Sequence, residues 1–505
     1  MTERTQTAKV ICRGGLNTNL NYLELSDNSP GSAVALVNFE PSLFGGYRRI
    51  DGFEPLEVAA EFVDDTDAEG PILGVFFYDD GIYAARKQKA GATYKIYKWA
   101  VSTDWVAQTT GAFTLTSTDV TRLRYATFNF DGTPVVILVD GVNFAYMFNG
   151  TTWTQIKNSN SGANYANAGG NQAIDAPKYV TVFRNHIFLA GDASAPNVVV
   201  HSAPNAEFDF LTASGAGQIP AGFEVNQIKP WRDFNYVFGK ESIKYIAVEE
   251  TTFVLKDVTS NIGCIAPDSV QEIGGDLIFL SQDGLRPISG TSKISDVELE
   301  TVSKPIQSEV ISLLLSYPAE EITSVVIRRK SQIRYFFGGT TIDIETAPGI
   351  IGGLRSGNEG IYWEYGKLHG IRASCTASAY IGTTEYVLHG DYNGGVYRQE
   401  QSNSFNGTEI FSLYRTPFLD FGDTEVRKTF RNVNVFIRPE GPINLTTQVV
   451  YNWGLPDAQN PAVYFSEETQ DFDLYGEGEY GTAVFAAATV PVRLNNIQGS
   501  AFSIQ

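Results

Sequence analysis

Four histidines, three cysteines and 57 carboxylates are the side chains from which this 505-residue chain could build a reactive centre. His186 and His201 fall on or beside strands of one unit, and His369 and His389 each precede a glycine. Two of them with Asp391 could in principle hold a metal, but metal sites draw on closely spaced ligands, and these are scattered. Cys12, Cys264 and Cys375 match neither a zinc spacing nor a disulfide framework, and read as thiols of a reducing compartment. Asp65, Asp67 and Glu69 alternate as calcium ligands do, without the glycine and distal glutamate of an EF-hand loop. Gly476, Gly478 and Gly481 satisfy the dinucleotide pattern GxGxxG, yet Glu477 and Glu479 would repel a pyrophosphate and no βαβ unit surrounds them. Gly239-Lys240 and Gly366-Lys367 continue with Glu and Leu, so neither completes a phosphate-binding loop. No GxSxG elbow or HExxH helix occurs. The boxes of sialidase-like propellers survive only as the fragments STDW at Ser102 and SQDG at Ser281, and nothing singles out a glycosidase carboxylate pair. The residues therefore call for no enzyme, no catalytic residue, no metal and no cofactor.

Composition points the same way. The 57 acidic residues against 37 basic ones give a formal charge of −20, which argues against a protein whose task is gripping phosphates, since that binding rests on lysine and arginine displacing counterions. Forty-eight Gly, 32 Phe and 25 Tyr against two Met describe a chain of strands and turns. The N-terminus has no apolar core of a secretion signal, and no apolar run is long enough to span a bilayer, so a soluble protein made in the cytoplasm is expected.

The elements that would position any site are short strands joined by turns. Tyr179 to Phe210 is the clearest unit, with β-branched and apolar residues at Val180, Val182, Ile187, Leu189, Val198 and Val200 and turns at Asn185 and Gly191-Asp192. Ile72 to Arg86 is a hairpin about Asp80-Gly81, and Leu123 to Ile156 turns at Asp131-Gly132, Asp140-Gly141 and Asn149-Gly150. Tyr94 to Trp105 continues the first segment with alternation, so both segments end in a tryptophan-bearing strand, at Trp105 and Trp153. Further units surround Gly239-Lys240, Gly274-Gly275, Asp283-Gly284 and Asn393-Gly394-Gly395, while GIIGGLRSGNEG reads as a glycine-rich loop. A unit this small cannot bury its own apolar face, and the roughly 40–45-residue spacing matches propeller blades. The expected fold is all-β: a β-propeller of about six to eight blades plus a C-terminal β-sandwich-like domain. The expected boundaries are 1–55 for an extended N-terminal arm and first strands, 56–407 for the propeller, and 408–505 for the second domain. A helix near 303–316 interrupts the strands, with Ser303 as its cap and Pro305 in its first turn.

Four stretches, NFEPSLFGGYRRIDGFE, FRNHIFLAGDASAPNVVVHSAPNAEFDF, GGDLIFLSQDGLRPIS and RTPFLDFGDTEVRKTFRNVNVFI, resemble the tail nozzle proteins of short-tailed bacteriophages, also described as tail hub or packaged-DNA stabilisation proteins. The resemblance runs from about Ala33 to Arg438. It implies a virion protein without catalytic residues, synthesised in the host cytoplasm, that assembles as a homo-hexamer in the tail. Its partners would be the head-to-tail adaptor and tail fibre, needle or plug proteins, and genomic double-stranded DNA would pass through without specific binding. An acidic wall suits such a passage, because like charge prevents weak contacts that would stall the duplex. On that basis Asp64, Asp65, Asp67, Glu69, Asp471, Asp473, Glu477 and Glu479 are expected to face the channel. Arg48, Arg49, Arg427, Lys428 and Arg431 are expected at subunit or adaptor seams, where an acidic ring needs positive patches. Two other classes fit the same residues: a carbohydrate-binding or glycoside-cleaving propeller, and a monomeric protein-docking propeller.

Overall fold

The computed structural model describes residues 7–42, 45–56, 70–88, 91–99, 104–108, 114–156, 174–289, 301–357, 360–438, 443–468, 490–494, 497 and 499–505. The chain divides into two units, one of residues 36–413 and one formed by residues 1–35 with 414–505. Among the described residues, no helix is long and apolar enough to cross a membrane.

Residues 36–413 form seven antiparallel blades, within the expected range of six to eight. Blade 1 consists of Ile72–Tyr78, Gly81–Lys87, Tyr94–Trp99 and Trp105–Ala107, and blade 2 of Arg124–Phe128, Val135–Val139, Ala145–Phe148 and Trp153–Ile156. Blade 3 is Tyr179–Phe183, His186–Ala190, Val198–His201 and Gly217–Pro220; blade 4 is Gln227–Trp231, Phe234–Phe238, Ile243–Glu249 and Thr252–Thr259. Among the described residues, blade 5 consists of Gln271–Ile273, Asp276–Ser281 and Gly284–Pro287. Blade 6 is built on Ile322–Ile327, Gln332–Phe337, Pro348–Gly357 and Gly360–His369, and blade 7 on Ala373–Ile381, Thr384–Asp391 and Val396–Gln399. In each blade the first strand lies innermost, and that of blade 7 packs on that of blade 1.

Local chemistry explains the hairpins. Asp79 and Asp80 take φ of 46° and 56° and form the two-residue turn of blade 1, so Gly81 opens the next strand opposite Tyr78. The turn is thus shifted one residue from the Asp-Gly pair that the sequence suggests, because aspartate tolerates the left-handed region that this turn needs. Arg184-Asn185 and Gly274-Gly275 make the equivalent turns of blades 3 and 5.

The glycine-rich loop expected at GIIGGLRSGNEG is instead largely strand: Pro348–Gly357 pairs along its length with Gly360–His369. Its glycines serve close packing. A Cβ at Gly352 would lie 3.1 Å from the Tyr365 ring, and one at Gly353 would lie 2.9 Å from Pro41. The inserted helix is present as Gln307–Ser316, preceded by the 3-10 turn Lys304–Ile306. Ser303 does not cap it; its hydroxyl accepts the Leu285 backbone N–H at 2.9 Å, tying the chain back to blade 5.

Apolar clusters lie between neighbouring blades. Ile137, Val139 and Met147 of blade 2 meet Val180, Ile187 and Leu189 of blade 3, and Phe238 of blade 4 meets Leu277 and Phe279 of blade 5. Each such side chain, fully buried, contributes roughly 1.5–3 kcal/mol. The ring closes through a borrowed strand: Phe53–Pro55 pairs antiparallel with Val396–Gln399 and becomes the fourth strand of blade 7. Val37 also pairs in parallel with Lys367 of blade 6. Residues 36–55, grouped with the arm by the sequence boundaries, belong to the ring unit for this reason.

In the other unit, the segment read as an extended arm carries a helix, Tyr22–Asn28, capped by Asn21, whose side-chain oxygen accepts the Glu24 N–H at 2.9 Å. Ser26 donates to Asp420 at 2.9 Å, which holds this helix to the C-terminal segment. Three antiparallel pairs follow: Lys428–Phe430 with Gly499–Ala501, Val433–Ile437 with Val490–Leu494, and Ile443–Thr447 with Tyr464–Glu468. They surround a core of Leu419, Val449, Tyr451, Ile497, Ala501 and Ile504.

Candidate functional site

One buried polar cluster of the ring unit lies where the innermost strands begin, at the N-terminal rim. Arg122, just ahead of blade 2, reaches across the axis. Its guanidinium donates to Asp268 at 2.9 Å, to the Ile322 carbonyl at 3.1 Å and to the Ser374 carbonyl at 2.8 Å. These groups belong to the starts of blades 5, 6 and 7. Arg124 grips the same carboxylate in a fork, with both contacts at 2.8 Å. A register shift between Ala373 and Cys375 frees Ser374 from the ladder, so its carbonyl can accept from Arg122 while its hydroxyl donates to the Ile72 carbonyl of blade 1 at 2.7 Å. Burial alone would raise the Asp268 carboxyl, but Arg124 and Arg122 overcome it and hold the group below the usual carboxylate range. Lys229, on the innermost strand of blade 4, is pushed down by burial, with Asp268 and Glu272 acting in the opposite direction.

A second cluster lies where the ends of the ring unit meet. Glu40, Asp51 and Glu400 bring carboxylate oxygens within 4.8 Å of one another, the spacing of a metal centre. Lys330 Nζ already occupies that position: it lies 2.6 Å from Glu40, 3.1 Å from Asp51, and against Glu400. Arg334, with no exposed side-chain surface, pairs with Glu400 at 2.6 Å and Glu40 at 3.2 Å, and donates to Gln332 and Gln399. Burial would raise the Glu400 carboxyl, but Arg334 and Lys330 lower it to about 2. The cluster is an ionic clasp, with an ammonium where a cation site would place its metal.

The histidines do not form a metal centre with Asp391. His186 and His201 come together with rings 5.4 Å apart, and both rings pack edge-on against Phe253. Their Nδ1 atoms lie 2.5 and 3.1 Å from the Ser202 carbonyl. His389 is buried between Phe53 and Tyr397, and burial pushes its imidazole down to about 3. Asp391 pairs instead with Arg372 at 3.3 Å. The three cysteines are unpaired; burial raises the Cys264 thiol to about 12 and the Cys375 thiol to about 11.

Asp64, Asp65, Asp67, Glu69, Asp471, Asp473, Glu477 and Glu479 lie outside the described residues. Arg48 is exposed and pairs with Asp51 at 2.5 Å, whereas Arg49 reaches the Asn403 carbonyl at 3.5 Å. In the other unit, Arg427 donates to the Ser500 carbonyl at 3.1 Å, Lys428 donates to the Val426 carbonyl at 3.0 Å, and Arg431 is exposed. Sequence reasoning missed Arg122, Arg124 and Asp268, and also the Glu40–Lys330–Arg334–Glu400 clasp. The available signal was a charge inside an apolar strand run, as in QIRYFF around Arg334, since a charge there needs a buried partner.

No family model and no curated protein matches the chain. Solved structures similar to it include BBS1N in its complex with ARL6DN, at 8% identity and a TM-score of 0.37, covering 70% of this chain and 99% of that one. The WD40 domain of Toxoplasma gondii coronin aligns at 8% identity and a TM-score of 0.38, over 72% of this chain and 89% of the other. The extracellular domain of the putative one-component system BT4673 from B. thetaiotaomicron aligns at 10% identity and a TM-score of 0.37 over 78% of this chain, which spans 45% of that structure.

Proposed function

We propose that this chain is the protomer of a ring-shaped tail nozzle, a sixfold virion component that extends the DNA channel below a head-to-tail adaptor. The observation that carries the reading is where the four resembling stretches fall. The first supplies Glu40 and Asp51 to the clasp and Phe53 to the closing strand; the second builds blade 3; the third builds blade 5; the fourth opens the C-terminal strands of the other unit. All four therefore furnish construction parts, with buried residues such as Ile187, Phe279 and Leu419. The crossed axis adds support, because Arg122 and Arg124 tie opposite blades together and a DNA passage would run between copies. The charge of −20 suits a wall that must not hold phosphate.

Negative-stain electron microscopy of the purified protein, alone and with an adaptor ring, tests the reading. Sixfold rings with an open centre are expected in at least one condition, and single particles in both would sink it. A carbohydrate-binding propeller is the second reading, favoured by one feature. A shallow cleft of about 170 Å³ at the opposite rim is lined by Phe77, Tyr78 and Tyr380 together with Asp79 and Asp80. Aromatic faces beside carboxylates suit a sugar ring, and saturable binding on a glycan panel that Tyr380→Ala abolishes would move the assignment there.

A further inference from the structure

Blade 3 holds two of the four histidines on adjacent strands, His186 opening its second strand and His201 closing its third. Both Nδ1 atoms face one acceptor, the Ser202 carbonyl, at 2.5 and 3.1 Å. A carbonyl oxygen only accepts, so in the neutral pair each ring carries its proton on Nδ1 and leaves Nε2 bare. Among the described residues neither Nε2 has a hydrogen-bond partner. That of His201 lies against Gly217, its ladder partner on the fourth strand, where a Cβ would come within 2.8 Å. His201 is 8% exposed, whereas His186 is half-buried and in reach of protons from solvent.

The pair also receives the neighbouring blade. Phe253, on the outermost strand of blade 4, packs edge-on against both imidazoles, with ring centres 4.8 and 4.7 Å away, and against Phe188 at 5.2 Å. Phe223 and Leu255 join Phe253 on the apolar cluster that the two blades share. Charges on the surrounding elements are engaged elsewhere. Arg184, two residues before His186, pairs with Asp233 at 3.1 Å. On the Phe253 strand, Lys256 pairs with Glu249, and Asp257 with Lys244 at 3.2 Å. In the loop after Ser202, Asp209 accepts the Leu211 N–H at 2.8 Å, and Glu207 is half-buried. Burial pushes the His201 imidazole below its ordinary value of 6.5, the Ser202 carbonyl acts the other way, and His186 adds to the effect of burial.

We propose that the two histidines form an acid-sensitive latch on the seam between blades 3 and 4. A second proton on His201 would sit on Nε2, buried against Gly217 with no acceptor. A proton on His186 places a charge on a ring centred 5.4 Å from that of His201. Either charge is relieved by moving the rings out to water, which withdraws the surface on which Phe253 rests. The open form binds protons more readily than the closed one, so the latch is complete above about pH 6.5 and weakens as pH falls below it. The strands released are Gly217–Pro220 and Thr252–Thr259, each paired along one side only.

Hydrogen–deuterium exchange of the full-length protein at about pH 7 and about pH 5, corrected for intrinsic rates, tests this. Glu400, with its carboxyl at about 2, stays ionised over that range. Burial also lowers His369 and His389, which lie in blades 6 and 7, so the readout must be local. Protection of Gly217–Pro220 and Thr252–Thr259 should fall about tenfold at the lower pH, while Val135–Val139 of blade 2 should keep its protection. His201→Phe keeps an aromatic body that cannot titrate, and the fall should vanish. His201→Gln, which can still donate to the Ser202 carbonyl, gives the same reading if the phenylalanine variant does not fold. An equal fall in all three segments would overturn the proposal, as would an undiminished fall in either variant. So would protection that does not change with pH.

Discussion

The rim cluster and the clasp are both buried ion networks, yet one is centred on a carboxylate and the other on a lysine ammonium. At the rim one carboxylate, Asp268, serves two arginines, and Arg122 also donates to the carbonyls of Ile322 and Ser374. In the clasp three carboxylates converge on Lys330, with Arg334 buried beside Glu40 and Glu400 and the more exposed Arg329 and Arg48 at its edge. The rim uses arginine as a spoke between strand starts across the ring. The clasp uses charge to bind residues far apart in the chain, with Glu40 and Asp51 near one end of the ring unit and Glu400 near the other. Burying such charges costs desolvation that only complete pairing offsets, so each network is sensitive to the loss of one member.

The largest effect is expected from Arg334→Met. It leaves buried Glu40 with Lys330 as its only cation and Glu400 with Lys330 and the more exposed Arg329, and urea unfolding should show a loss of about 3–5 kcal/mol, as for other broken buried pairs. A loss under about 1 kcal/mol would mean that the clasp is dispensable for stability. Asp268→Asn should cost less, roughly 1.5–3 kcal/mol, because asparagine keeps one acceptor for the two arginines. If it exceeded Arg334→Met, the ranking of the two networks would reverse.

Acid should separate them as well. The folded Glu400 carboxyl, at about 2, lies below the ordinary glutamate value of 4.5, so the unfolded chain binds the proton more readily. Stability from this group is complete above about pH 4.5 and is lost as pH falls towards 2. Urea midpoints measured between pH 7 and pH 3 should decline at the acid end, and Glu400→Gln should flatten that decline. Asp268 and Asp192 are also lowered, so a residual slope in the Gln variant would report those two carboxylates, and Asp268→Asn in the same background would isolate the rim's share. The smallest effect belongs to Arg48→Ala. Its side chain is 42% exposed, and its pairing with Asp51 should contribute no more than about 1 kcal/mol, shrinking further in salt.

Much of the ring was legible in the chain. The hairpins at Arg184-Asn185 and Gly274-Gly275, the outer strands at Trp105 and Trp153, and the helix Gln307–Ser316 follow from turn residues and apolar periodicity within a few positions. The glycine-rich stretch was misread because glycine signals flexibility and close approach equally. Only Tyr365 and Pro41, packed against Gly352 and Gly353, decide for close approach. The borrowed strand Phe53–Pro55 carried no local mark of its partner, which lies more than 300 residues away. The rim arginines were visible only as charges in apolar company.

The sequence by itself determined an all-β chain with repeated hairpins, its approximate blade number and its acidic balance, because alternation, turn chemistry and charge are local or additive properties. Tertiary structure alone decided which charges meet, that Lys330 fills the place a metal would take, and that residues 1–35 join the C-terminal segment. The physical reason is that a buried ion pair or a closing strand is stabilised only by partners brought together after the ring has formed. Nothing within a few residues of Arg122, Glu40 or Phe53 states where those partners will be.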